Sequence, residues 1–245
     1  GHQMSIKRTT APQDDKREQE QLRIFGLRQD PDSSREDNDA ILDLSVFEPQ
    51  RIELKTTTKT SLTTARDFGV SHIQNWRGKH ILASFYDGSG REIRWSLLIP
   101  SHFLNRWLDS QLDYVKLDLR IIESVESIIS EEFLNQLRNS VFPGQERYTL
   151  NELKKLLKNQ ISKEDLLAFL DNAQAYASPE SMNRAVKERL RYLISRGGTR
   201  NNPHIGKEFM NTVVKEDSQL RFSHESGNYQ AASGWLIKQL SRYAV

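Results

Sequence analysis

Asp39, Glu53 and Lys55 are the residues of this chain whose types and spacing suit chemistry. Glu53 and Lys55 lie in Gln50-Arg51-Ile52-Glu53-Leu54-Lys55-Thr56-Thr57-Thr58, a short apolar strand pattern that turns polar. Residues two apart on a strand point to the same face, so this carboxylate and this ammonium project together. Upstream, Arg35-Glu36-Asp37-Asn38-Asp39-Ala40 can begin a neighbouring strand, with thirteen residues between Asp39 and Glu53. Asp39 then aims a second carboxylate at the same point. Such a cluster suits Mg2+, a hard cation that prefers oxygen, and hydrolysis of a phosphodiester. The Leu54 carbonyl, between the two side chains, is a further candidate ligand. Lys55 would polarise the attacking water or stabilise charge in the transition state. The competing reading is an ordinary exposed strand pair, because a Glu-x-Lys tripeptide alone is a weak signal. The Asn-Asp turn before it and the hydroxyl-rich segment after it favour a site.

The elements that must hold these residues follow from periodicity. Residues 16–28 predict a helix with Leu22 and Phe25 facing a core. Strands are expected at Ala40–Val46, Ile52–Thr56, His80–Tyr86 and Arg91–Ile99, the last two joined by the turn Asp87-Gly88-Ser89-Gly90. A short helix over 69–78 carries Ile73 and Trp76. From Pro100 the chain reads as mainly helical. Ser101 opens one helix, and Leu117–Val141 has sustained apolar spacing up to Pro143-Gly144. Thr149 with Glu152 forms a capping box, Ser162 caps the next helix, and Ser178-Pro179 opens another that ends at Gly197-Gly198. Residues 208–224 are expected to hold two short strands, and 230–243 a final helix. The fold class is α/β (α+β), a mixed sheet flanked by helices. The expected organisation is a catalytic part over 16–110 and a mainly helical part over 111–245.

Composition sets bounds. The chain has 245 residues, 36% of them hydrophobic, no cysteine and a net charge of +2. Absence of cysteine excludes disulfides and thiolate zinc sites and fits a reducing cytoplasm. No apolar run reaches membrane-spanning length. Gly1-His2-Gln3 ahead of Met4 reads as the remnant of an expression tag. Charge is uneven: between Arg184 and Lys207, Glu188 is the sole acid among seven basic residues. That distribution suits phosphate contact or, equally, a solvated helix face.

Asp, a spacer and Glu-x-Lys together resemble the signature of the PD-(D/E)xK nuclease superfamily. Arg35-Glu36-Asp37-Asn38-Asp39-Ala40 with Glu53-Leu54-Lys55-Thr56 is similar to the corresponding stretches of PvuII-like type II restriction endonucleases. The resemblance covers roughly residues 35–100. Asn38 stands where the nominal motif has proline, and Thr63-Thr64-Ala65-Arg66-Asp67 lacks the histidine run of that group. The resemblance implies a restriction-endonuclease-like core with Asp39 and Glu53 as Mg2+ ligands and Lys55 as the catalytic lysine. Glu36 becomes an additional acidic residue. It also implies a prokaryotic cytoplasmic enzyme that cuts double-stranded DNA at a short specific sequence, as a homodimer.

Candidate DNA contacts surround the motif. Lys59, Thr63 and Thr64 suit phosphate positioning; Arg66 suits guanine, and Asp67 suits cytosine or, equally, the orienting of Arg66. Arg77 lies in a second polar cluster with His72, Gln74 and Asn75. Arg184, Lys187 and Arg191 fall on one helical face, and Arg200 and Asn201 lie in a loop suited to close approach to a backbone. Two alternatives stay open. One is a repair or junction-resolving nuclease of the same superfamily. The other is a non-enzymatic DNA-binding regulator with a winged helix over 149–224.

Overall fold

The computed structural model describes residues 12–32, 39–158, 160–171, 174–225 and 229–245, with side chains from residue 16. The chain forms two compact units, one built from the chain up to Asp113 together with Arg200–Val245, the other Tyr114–Thr199.

In the first unit, among the described residues, six strands form one mixed sheet. They are β1 (Arg28–Gln29), β2 (Asp39–Leu42), β3 (Gln50–Thr57), β4 (His80–Tyr86), β5 (Ile93–Ile99) and β8 (Arg221–Ser223), in the order β1-β2-β3-β4-β5-β8. All neighbours are antiparallel except β3 and β4. A parallel pair needs a crossover, and α2 (Val70–Trp76) lies in that connection. Ile52 and Leu54 of β3, like Leu82 of β4, are buried on one sheet face. Helix α1 (Pro12–Phe25) lies on that face: Gln21, fully buried, donates to the carbonyls of Lys55 (3.1 Å) and Leu82 (3.2 Å) and to Ser84 Oγ (3.0 Å). α9 (Gln230–Tyr243) packs on α1. The opposite face carries Glu53, Lys55 and Thr57, and beside them Ile81, Ala83 and Phe85.

His80 opens β4 fully buried. It accepts from the Ser101 N–H at Nδ1 (2.9 Å), so its Nε2 donates to Gln50 Oε1 (2.8 Å). The amide of Gln50 also pairs with the backbone of Val245. Burial pushes the His80 imidazole down to about 4.

Helix α3 (Ser101–Ile128) begins in the first unit and continues into the second. There it is followed by α4 (Glu131–Val141), β6 (Tyr148–Thr149), α5 (Leu150–Leu157), α6 (Lys163–Leu167), β7 (Tyr176–Ala177) and α7 (Pro179–Gly197). This unit has its own core, centred on Leu134, Tyr148, Leu153, Leu157, Met182 and Val186. The expected caps are in place: Thr149, Ser162 and Ser178 each accept from the backbone three residues on.

Several elements differ from expectation. The run over 117–141 is two helices, because Ser130 leaves helical geometry and caps the second by accepting from the Phe133 N–H. Arg91 and Glu92 belong to the turn, since the Asp87 carboxylate accepts from Ser89 and from the Arg91 N–H, and β5 starts at Ile93. β2 ends at Leu42, where its pairing with β3 ends. Residues 208–224 do not form two strands. They form α8 (Lys207–Glu216), a 3-10 turn (Ser218–Leu220) and β8, with Met210 and Val213 buried at helical spacing.

Candidate active site

The register of β2 on β3 sets Asp39 directly opposite Glu53. Side chains in such an antiparallel pair stand about 5 Å apart at Cβ and share a face. Lys55, two residues on, shares that face, and its Nζ lies 3.9 Å from Glu53 Oε1. The three residues expected from sequence are therefore brought together. The fourth, Glu36, lies outside the described residues. Leu54 sits between Glu53 and Lys55 with its side chain buried on the other face.

A second lysine joins them. Lys79 precedes β4 and follows Gly78, whose φ of 82° lets the chain reverse after α2. Alternation along β4 puts Lys79 on the same face as Ile81 and hence Glu53. Its Nζ lies 2.7 and 3.0 Å from the two Asp39 oxygens and 3.8 Å from Glu53 Oε2, a distance beyond hydrogen bonding. Arg51 Nη2 approaches Asp39 Oδ2 at 3.6 Å. Sequence reasoning missed Lys79. The signal was there in period-2 alternation back from Phe85, Ala83 and Ile81, but using it requires the register of β4 on β3.

The centre is largely shut off from water. The side chains of Asp39 and Glu53 are 3% exposed and Lys79 is 0%, while Lys55 at 12% and Arg51 at 44% mark the side that meets solvent. Burial is the largest influence on Glu53 and pushes its carboxyl up to about 8. Lys55 and Lys79 pull it down, and Asp39 pushes it up further. Lys55 is fixed by its surroundings. Its Nζ donates to the Thr64 carbonyl at 3.4 Å and stands 5.4 Å from the Trp76 ring centre. The Gln21 amide holds its peptide oxygen from the opposite face.

The donor set fits a hard divalent cation. Two carboxylates converge, and Glu53 Oε2 is buried without a hydrogen-bond partner, an acceptor left for a cation. Among the described residues no third Asp, Glu, His or Cys joins the pair. The Lys79 ammonium already engages both Asp39 oxygens, so a cation held by the two carboxylates would compete with it there.

The other predicted contacts separate into groups. Lys59, Thr63 and Arg66 are exposed on the segment after β3. That segment is tied to residues 200–205 by the pairs Leu62–Ile205 and Phe68–Arg200. Thr64 is committed to it, its N–H donating to Asn202 Oδ1 and its hydroxyl to the Pro203 carbonyl. Asp67 adopts φ 53° in the turn between. Arg200 donates to Gln111 and Arg77 is paired with Asp109 at 2.6 Å, while Asn201 is exposed. In the second unit Arg191 is paired with Glu126 (2.5 Å), Arg184 donates to Ser181, and Lys187 is half-buried. Arg191 is thus neutralised within its own unit.

No protein-family model matches the sequence, and no curated protein matches it. Among the described residues no helix is long and apolar enough to cross a membrane.

Proposed function

We propose that this chain is a Mg2+-dependent endodeoxyribonuclease of the PD-(D/E)xK type, acting as a type II restriction enzyme on double-stranded DNA. The observation that carries the reading is the Asp39–Glu53 register pair with Lys55 two residues on, on one sheet face. Bound there, Mg2+ would supply Lewis-acid activation of the phosphoryl group and of water. Asp39 and Glu53 would hold it. Lys55, packed against Trp76 and the Thr64 carbonyl, would position the attacking water and stabilise charge on the phosphorus oxygens. The exposed Lys59 and Arg66 lie on the segment that leaves this centre and suit phosphate and base contact. An exposed apolar stripe on α3, formed by Tyr114, Leu117, Ile121 and Ile128, supports pairing with a second copy, as a symmetric DNA site requires.

The test is digestion of an unmodified plasmid with Mg2+ and with EDTA. Discrete Mg2+-dependent fragments, lost in Lys55→Ala, fit the proposal. A smear, or activity on branched DNA alone, favours a repair or junction nuclease of the same chemistry. Absence of cleavage of any DNA removes the reading. The complete burial of Lys79 favours one competitor, an ion-paired sheet core with no catalytic role. A winged-helix regulator has less support, because the strands it needs over 208–224 are replaced by α8 and β8.

A further inference from the structure

A cleft of about 460 Å³ opens in the first unit beyond the ends of β3 and β4. Among the described residues four cations line it, Lys59, Arg94, Lys207 and Arg221, drawn in turn from the segment after β3 and from β5, α8 and β8, and no carboxylate does. Its floor is aromatic. Phe85 and Trp95 stack with ring centres 3.8 Å apart and planes 6° from parallel. The Arg221 guanidinium lies 4.3 Å from the Trp95 ring centre, on the face that Phe85 leaves open. Stacking fixes the plane of a guanidinium while leaving its N–H edge available, an arrangement suited to bidentate capture of a phosphate. Four like charges around one concavity repel one another, and a polyanion relieves that repulsion.

The position of the cleft narrows the choice of anion. Thr57 pairs with Phe85, Phe85 with Trp95, and Leu97 with Arg221. Register partners share a face, so the cleft and the Asp39–Glu53–Lys55 centre lie on the same side of the sheet. From Lys55 to Phe85 is one strand across and two residues along, and to Trp95 two strands across. Those steps amount to about 8 and about 12 Å. They correspond to roughly one to two nucleotides along one strand of a duplex, whose phosphates are spread by the helical winding as well as by the axial rise.

We propose that this cleft is a phosphate-binding subsite that grips the backbone of a nucleic-acid strand roughly one to two nucleotides from the carboxylate centre. The identity of the ligand rests on the nuclease reading; the phosphate chemistry does not.

The experiment measures anisotropy of a fluorescein-labelled DNA duplex in EDTA, where binding is read without cleavage, across a series of salt concentrations. The variant Arg94→Ser/Lys207→Ser/Arg221→Ser should weaken binding roughly tenfold or more and reduce the salt slope by about two to three. If that variant unfolds, the single changes Arg94→Ser and Lys207→Ser, both on exposed side chains, should each lower the slope by about one. Unchanged affinity and slope overturn the proposal. Inorganic pyrophosphate, titrated against tryptophan fluorescence, separates the sources. Pyrophosphate binding that depends on these cations, with duplex binding indifferent to them, overturns the strand assignment. Cleft-dependent binding by a protein that never cuts DNA would sink the nuclease reading and keep the cleft. Cutting with cleft-independent binding would do the reverse.

Discussion

Replacing Lys79 by methionine removes the cation from between two buried carboxylates while keeping much of the side chain's apolar volume. The ammonium is fully buried, 2.7 and 3.0 Å from Asp39 and 3.8 Å from Glu53. Deleting one partner of a buried ion pair costs about 3–5 kcal/mol. At roughly 2–4 °C per kcal/mol for a chain of this size, Tm should fall by roughly 6–20 °C in EDTA. A divalent cation that takes the vacated position restores part of that loss. At a hundredfold excess over its Kd it contributes about 2.7 kcal/mol, or roughly 5–11 °C. Wild-type protein should gain less, because the metal must first move the ammonium off Asp39. The assay is thermal unfolding of both proteins in EDTA, Mg2+ and Mn2+. Equal metal-induced shifts in the two proteins, or no shift in the variant, would refute the idea that Lys79 and the metal compete for one place.

Three further outcomes follow from the same geometry. Lys55→Ala should lower the cleavage rate by roughly 10²–10⁴ with duplex binding retained, measured as single-turnover cleavage beside anisotropy. Glu53, pushed up to about 8 by burial, holds a proton in neutral metal-free protein, and a metal must displace it. Calorimetric affinity for Mn2+ should therefore rise about tenfold per pH unit below pH 8 and level off above it, and a flat profile would contradict that burial effect. His80 is held at about 4 against an ordinary 6.5, so the unfolded chain binds more protons between these values and stability falls as pH drops through them. The loss is about 3 kcal/mol, and chemical denaturation of His80→Gln, which cannot take the proton, should show a correspondingly smaller acid dependence.

What was legible in the sequence was local. Glu53 and Lys55 share a strand, so alternation alone put them on one face. Their meeting with Asp39 required in addition that β2 be the neighbouring antiparallel strand, in the register that sets Asp39 opposite Glu53. The caps at Thr149, Ser162 and Ser178 were readable because a cap is a contact between residues three apart. Lys79 was not, because its place depends on the parallel register of β4 on β3 across the α2 crossover, a non-local quantity. The break at Ser130 was hidden by apolar spacing that continues through it. Over 208–224 the helical spacing of Met210, Val213 and Val214, which buries them, outweighs the expectation of two strands. The ion pair of Arg191 was not legible either, because its partner Glu126 comes from another helix of the same unit.

A crystal of the protein soaked in Mn2+ and recorded at the manganese absorption edge tests the central claim most directly. The account predicts an anomalous peak bonded to carboxylate oxygens of both Asp39 and Glu53, with the Lys79 ammonium moved away from Asp39. Manganese bound elsewhere, with that ammonium still seated between the two carboxylates, would contradict it.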